Sequence, residues 1–328
     1  MKRRWLIILI FCWVTLIFGE DFSSNNRGLS VLEINTSPIS ASLGSGYSVF
    51  GHIITSFLDN PAMLAETENI NMVFNHEELG FDVRRDDIYF SKKLNNKLGI
   101  MMGIGYFNGG AIELRGIVPQ DIPYSTTSFS DFIAGGSVGY EIYKELKAGI
   151  GVKFISQNSY IYSGTGVSFD GGVLFSPSIL KGITGSVIFN NFGPAVNFGE
   201  TQKVTQPSRV RFAMGKRIDI RRYKSNIGIS IGGYSKYYVI PYSDTSYTFS
   251  DNVKNFVSSI PDRAVTDFDF DYIFDNRINL RLSYLVGGEN TIANVGLGIM
   301  LSRFRFDYSY TVEQSTNGTH RMSIGVNY

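Results

Sequence analysis

From about Ile70 to Tyr328 the chain is a succession of segments in which apolar and polar residues alternate, a period of two that belongs to strands with two unlike faces. The last segment places His320, Met322, Ile324, Val326 and Tyr328 on one face and Thr319, Arg321, Ser323, Gly325 and Asn327 on the other. One step earlier Phe304, Phe306, Tyr308, Tyr310 and Val312 alternate with Arg303, Arg305, Asp307, Ser309 and Thr311. Before Asn276, the residues Phe268, Phe270, Tyr272 and Phe274 back Asp267, Asp269 and Asp271. The segment after it sets Ile278, Leu280, Leu282 and Tyr284 against Asn279, Arg281 and Ser283.

A soluble sandwich would turn the apolar face inward and the charged face to water. Two features favour the opposite arrangement: one unbroken series of hairpins, and tight turns that alternate with longer loops. Strands are expected near Ile70, Asp86, Lys97, Ser130, Leu146, Thr165, Gly182, Ser208, Asn226, Ala264, Arg277, Thr291, Arg303 and Thr319. That is about 14, an even number as bacterial single-chain barrels require. Connections after even strands are short (Asn95-Asn96, Lys144-Glu145, Asp275-Asn276, Ser302), and those after odd strands are longer (109–129, 193–207, 238–263). The expected fold is all-β: a transmembrane antiparallel up-and-down barrel of the bacterial outer membrane, its apolar face toward lipid and both chain ends in the periplasm. The inward charges Asp267, Asp269, Asp271, Asp307, Arg281, Arg303, Arg305 and Arg321 then line a lumen of mixed sign, joined by Asp170, Lys147, Lys153, Arg209 and Arg211. Tyr106, Tyr140, Tyr143 and Phe175 are expected at the interfacial girdles.

The N-terminus has Lys2, Arg3 and Arg4 before an apolar run from Trp5 to Phe18, the pattern of a signal peptide with cleavage expected after Gly19. That run is too short for a helical span, which needs about 20 residues. The single cysteine, Cys12, and both tryptophans, Trp5 and Trp13, leave with it, so disulfides, thiolate metal sites and cysteine nucleophiles are excluded from the mature chain. Taking the three leading cations from 30 basic residues leaves 27 against 29 acidic ones, a net of −2, which offers nucleic acid no attraction. His52, His76 and His320 lack metal-ligand spacing, and no nucleophile elbow occurs. His76-Glu77-Glu78 is the one close grouping of acid and base, and solvation at a strand end accounts for it. No catalytic, metal or cofactor site is expected.

Residues 20–68 precede the first strand, and residues 69–328 form the barrel. The first segment is too apolar to stay solvated, with Leu43, Tyr47, Val49, Phe50, Ile53, Ile54, Phe57, Leu58, Met63 and Leu64, so it is expected to fold into the barrel as a plug or hatch. Gly44 and Gly46 allow close approach to the wall, while Pro61 fixes its own φ and restricts Asn60, which gives a rigid turn.

Ser40-Ala41-Ser42-Leu43-Gly44-Ser45-Gly46 and Asp59-Asn60-Pro61-Ala62-Met63-Leu64 together resemble the N-terminal signature of the PorV/PorQ family within the FadL-type barrels. The Asn-Pro-Ala core is kept, while Asp59 stands where the family has Trp and Met63 where it has Gly. Asp170-Gly171-Gly172, Asn190-Asn191-Phe192-Gly193 and Asp307-Tyr308-Ser309-Tyr310 extend the resemblance along the chain. It implies a 14-stranded barrel with an N-terminal hatch. In function it implies a secretion-system or surface-protein attachment scaffold, or alternatively a FadL-like transporter of hydrophobic small molecules. Ile324, Val326 and Tyr328 resemble the terminal signal read by the barrel-assembly machinery. The expected partners are therefore outer-membrane lipid, that machinery, secretion or surface proteins, and a hydrophobic small molecule.

Overall fold

The computed structural model describes residues 28–35, 37–50, 59–67, 70–116, 121–199, 202–236, 264–287, 292–313 and 318–328. Fourteen of its strands form one closed antiparallel barrel. In chain order they are β1 (Ile70–Gly80), β2 (Val83–Asn95), β3 (Leu98–Leu114), β4 (Ser125–Tyr143), β5 (Leu146–Ser159), β6 (Tyr162–Phe175) and β7 (Ile183–Phe192). After a small separate hairpin of β8 (Val196–Phe198) and β9 (Gln202–Val204) come β10 (Arg209–Ile220), β11 (Ser225–Lys236) and β12 (Ala264–Phe274). The series ends with β13 (Ile278–Val286), β14 (Ile292–Leu301), β15 (Phe304–Glu313) and β16 (Thr319–Asn327).

Closure is made by β1 on β16, in register from Asn71 opposite Asn327 to Glu78 opposite His320. No strand is left as a free sheet edge at this seam, the condition for a sheet to survive in hydrocarbon. β13 shows the two faces clearly. Ile278, Leu280, Leu282 and Tyr284 are exposed outward, and Asn279, Arg281 and Ser283 are buried inward. The outward face is therefore the apolar one, and its strands of 9 to 10 residues on β13 to β16 match the 9–11 or so that a tilted strand needs to cross. Tyr106, Tyr140, Tyr143 and Phe175 are all outward and exposed. No helix among the described residues is long and apolar enough to cross a membrane.

The connections depart from the simple sorting expected of them. On the side of the long loops, β1 joins β2 through Phe81-Asp82, and β5 joins β6 through Tyr160-Ile161. Phe81, Asp82 and Tyr160 take positive φ without being glycine, and only Gly80 and Asp82 mark the first of these turns by residue type. The expected loop 109–129 is largely strand. β3 and β4 run 17 and 19 residues, interrupted by a bulge at Gly110 whose N–H donates to Asn108 Oδ1 at 2.9 Å, and pairing resumes from Ala111 to Leu114. Glycines inside a strand often mark a bulge, and Thr126 and Thr127 favour the pleated continuation. On the opposite side the β6–β7 connection is longer than expected and holds a 3-10 turn, Ser178–Leu180. The expected loop 238–263 lies outside the described residues.

Candidate functional site

The described part of residues 28–67 packs against inward-facing side chains of the wall. Its first anchor is the turn at Pro61–Glu66, where Asn60 Oδ1 accepts from the Ala62 N–H at 3.0 Å and Pro61 starts the turn without an orphaned N–H. Gly99, Gly139, Gly149 and Gly172, on β3 to β6, make the floor beneath it. A Cβ at any of them would collide with Leu64, Pro61 or Asn60. The second anchor is the turn after Pro38–Ser42, a short helix capped by the Ser37 hydroxyl. There the Ser45 N–H and hydroxyl donate to Asp267 at 3.2 and 2.6 Å, and the Gly46 N–H donates to Asp269 at 2.8 Å. A Cβ on Gly44 or Gly46 would meet those same aspartates, so the backbone approaches β12 only because both are glycine.

Between these anchors stands a buried polar node. Lys153 Nζ donates to Asp170 Oδ1 at 2.9 Å and to Asn191 Oδ1 at 2.5 Å, and the Asn191 N–H donates to the same Asp170 oxygen at 2.9 Å. Asn190 Nδ2 reaches the Asp59 carbonyl at 2.8 Å, which ties the node to the inserted segment. The node sits where the β6–β7 ladder breaks register, between Phe169 and Gly171, with Asn191 in the left-handed region. Above the break, Tyr162 to Ser168 of β6 have no strand partner on the β7 side among the described residues. That is about 23 Å of strand at about 3.3 Å per residue. The Gln206 amide donates to the Val167 carbonyl across this gap at 2.8 Å, and to Pro194 at 2.9 Å.

Beside the gap the lumen turns apolar. Leu29, Val31 and Leu32 of the inserted segment cluster with Phe107 (β3), Ile133 (β4), Ile155 (β5), and Val196 and Phe198 (β8). Val196 and Phe198 lie over Gly166 and Gly164 of β6, the segment whose ladder is missing. This cluster is the largest of three buried apolar clusters among the described residues, in a barrel whose inward face also carries many polar and charged groups. Aromatic and aliphatic side chains with a few fixed polar groups at their margin are the usual lining of a small-molecule site, and here the inserted segment and the β8 strand pack against them.

Several of the remaining inward charges are arranged as pairs. Arg281 meets Asp307 at 2.5 Å, and Arg305 meets the same carboxylate at 2.7 Å. Asp271 holds Arg217 at 2.7 Å, Arg321 holds Glu77 at 2.5 Å, Arg85 holds Asp87 at 3.0 Å, and Lys147 pairs with Glu66. Arg303 is a correction to the expected lumen set: it lies exposed in the β14–β15 turn with its guanidinium 5.0 Å from the Tyr328 ring centroid, because Leu301 ends the strand before it. Ile324 and Tyr328 are exposed on the outer side of β16, and Val326 is half-buried there.

Sequence reasoning missed the Arg85–Asp87 pair, the Asn191 bulge and the apolar cluster. His76 and His320 sit on the outer face. His76 contacts Asp86 at 2.7 Å and His320 contacts the Tyr308 hydroxyl at 2.8 Å, while His52 lies outside the described residues. No group of three His, Cys, Asp or Glu able to hold a metal occurs among the described residues.

No family model matches the chain, and no curated protein matches it in sequence. Solved structures do. The Ralstonia pickettii toluene transporter TbuX superposes with a TM-score of 0.58 at 8% identity, covering 90% of this chain and 98% of that one. The CymD monoaromatic hydrocarbon channel gives 0.57 at 9% identity over 89% and 97%, and the Pseudomonas putida toluene transporter TodX gives 0.53 at 9% over 94% and 98%. The fold is that of FadL-type outer-membrane barrels. The protein is an integral β-barrel of the bacterial outer membrane.

Proposed function

We propose that this barrel passes hydrophobic small molecules across the outer membrane, with residues 20–68 as the hatch. The observation that carries the reading is the apolar cluster of Phe107, Ile133, Ile155, Val196 and Phe198, set inside a charged lumen and directly beside the unpaired stretch of β6. A molecule that prefers this cluster to water leaves it most easily through a gap into hydrocarbon, without crossing the charged floor below. The structural neighbours described as toluene transporters and a monoaromatic hydrocarbon channel support a substrate class of small aromatic hydrocarbons. The attachment-scaffold reading rests on the N-terminal and middle motifs of the PorV/PorQ resemblance, whereas the neighbours named above are described as transporters or channels, so the transport reading is the better supported one. Ile324, Val326 and Tyr328 remain the proposed signal for the assembly machinery, and residues 1–19 the proposed signal peptide.

The test is uptake of labelled toluene by cells of an outer-membrane host that lacks hydrocarbon channels, with a labelled sugar as the polar control. Expression should raise toluene uptake and leave sugar uptake unchanged, and Phe198→Asp should abolish the gain while the barrel still folds. Equal gains for sugar and toluene, or no toluene gain from a folded barrel, would refute the reading.

A further inference from the structure

The two rims of the barrel carry different charge. On the rim of short turns, where the barrel strands also begin and end with Ile70 bonded to Tyr328, three adjacent turns form one patch. The β6–β7, β10–β11 and β12–β13 connections are stitched together by backbone bonds, Arg217 N–H to the Gly182 carbonyl at 3.3 Å and Asp275 N–H to the Lys224 carbonyl at 2.8 Å. The patch exposes Lys181, Lys216, Arg221, Arg222, Lys224 and Arg277. Two carboxylates within these turns answer them, while Glu145 of the neighbouring β4–β5 turn, which accepts from the Ser178 N–H at 2.9 Å, is offset by the adjacent Lys144. Asp275 is shared by Lys224 at 3.6 Å and Arg277 at 3.7 Å, and Asp219 accepts from the Asn226 amide. Six cations against two anions leave four positive charges in excess.

The opposite rim is mixed among its described residues: Glu78, Asp82, Glu113 and Asp121 are exposed beside Arg84 and Arg115, and Arg115 is paired with Glu113 at 2.8 Å.

The same patch is apolar at its outer edge. Ile179 is 87% exposed, Tyr223 61% and Leu180 50%, continuous with the lipid-facing Ile218 and Phe274. Aliphatic side chains so exposed at the end of a transmembrane strand are explained by burial at the boundary of headgroup and acyl chain, and long cationic side chains beside them extend to the headgroup level. We propose that this patch binds anionic phospholipid headgroups of the periplasmic leaflet, with Arg221, Arg222 and Lys224 holding phosphate while Ile179, Leu180 and Tyr223 sit among the chains below. Arginine forks suit phosphate oxygens, and each basic residue near an anionic surface adds to the attraction.

The experiment is native mass spectrometry of the detergent-solubilised full barrel after incubation with equal amounts of phosphatidylglycerol and phosphatidylethanolamine. The native protein should retain phosphatidylglycerol by about threefold or more over phosphatidylethanolamine, since each cation at an anionic surface contributes up to about a factor of five. The triple variant Arg221→Gln, Arg222→Gln, Lys224→Gln should bring the ratio close to one, and the opposite-rim variant Arg84→Gln, Arg115→Gln should leave it unchanged. Folding of each is checked by its gel mobility without boiling. Should the triple variant not fold, the native ratio in about 1 M ammonium acetate decides, because a Debye length of about 3 Å removes attraction to exposed charges. No phosphatidylglycerol preference in the native protein, equal loss from both rims, or a preference that survives high salt would overturn the proposal.

Discussion

Lys153→Met tests whether the buried node of Lys153, Asp170 and Asn191 holds the break in the β6–β7 ladder. The Lys153 and Asp170 side chains are 1% and 0% exposed, so neither charge is screened by water. Losing Lys153 removes its bonds to Asp170 and Asn191, but the carboxylate keeps the Asn191 N–H at 2.9 Å and the Asn190 amide at 3.4 Å. Breaking a buried pair by removing one partner costs about 3–5 kcal/mol, and the retained donors place this variant near the lower end, at about 3 kcal/mol. Asp170→Leu strands the ammonium instead and also orphans the Asn191 N–H, so its cost should reach the upper end. The double variant Lys153→Met, Asp170→Leu leaves that N–H and the Asn191 Oδ1 unmet but no buried charge, at about 1–3 kcal/mol for each group. It should therefore lose clearly less than the sum of the two singles, with a coupling of at least about 2 kcal/mol between the two sites. The assay is reversible urea unfolding in lipid vesicles, followed by circular dichroism and by the mobility of unboiled samples. Removal of the proposed signal peptide would take Trp5 and Trp13 with it, so tryptophan fluorescence is not the readout chosen. A double variant whose loss equals the sum of the two singles would refute the node as a coupled unit.

Gly99→Val should displace the Pro61–Glu66 turn, because its Cβ collides with the Leu64 carbonyl; single-channel recordings should show raised conductance, and unchanged conductance with a folded barrel would count against the anchor. Gln206→Leu leaves the Val167 and Pro194 carbonyls without their donor, a loss of about 1–3 kcal/mol, and should speed amide exchange at Tyr162 to Ser168 relative to β13. Asp307→Asn should destabilise more than Arg305→Met, since it removes the carboxylate that both Arg281, 0% exposed, and Arg305 bond, whereas the second change leaves the closer Arg281 pair intact; urea midpoints compare the two. In the exposed β4–β5 turn, the Ser178 hydroxyl and N–H, the latter at 2.9 Å, hold the Glu145 carboxyl below its ordinary range. A depressed carboxylate favours its contact above the unfolded value and loses it as pH falls through the folded one, so the Ser178 amide resonance should shift only at acid pH and should not shift in Glu145→Gln.

The strands were legible because each one separates two unlike surroundings, and a period of two survives any uncertainty about turns. All fourteen expected positions fall in or within a residue or two of a barrel strand. What alternation cannot supply is the partner of an inward charge. Asp267 and Asp269 read as candidates for ion pairs, yet they accept from Ser45 and Gly46, more than 220 positions earlier, because the inserted segment brings backbone donors to β12. The connection expected from residue 109 begins instead at a strand bulge at Gly110, and the turns at Phe81-Asp82 and Tyr160-Ile161 have no glycine at their central positions.

The apolar cluster left a readable trace of a different kind. Tyr106-Phe107, Phe132-Ile133 and Phe154-Ile155 are apolar doublets on three consecutive strands, where alternation requires one of each pair to be polar. In each doublet the first residue is exposed to lipid and the second is buried inside, and Ile133 stands directly opposite Ile155 in the ladder. A single doublet is compatible with a packing accident. Three on adjacent strands place apolar surface in the lumen at one level, where only the inserted segment, the β8–β9 hairpin or a hydrophobic ligand can cover it. In this barrel, therefore, regular alternation reports the lipid-facing surface, and the places where alternation fails on neighbouring strands report where the lumen is apolar.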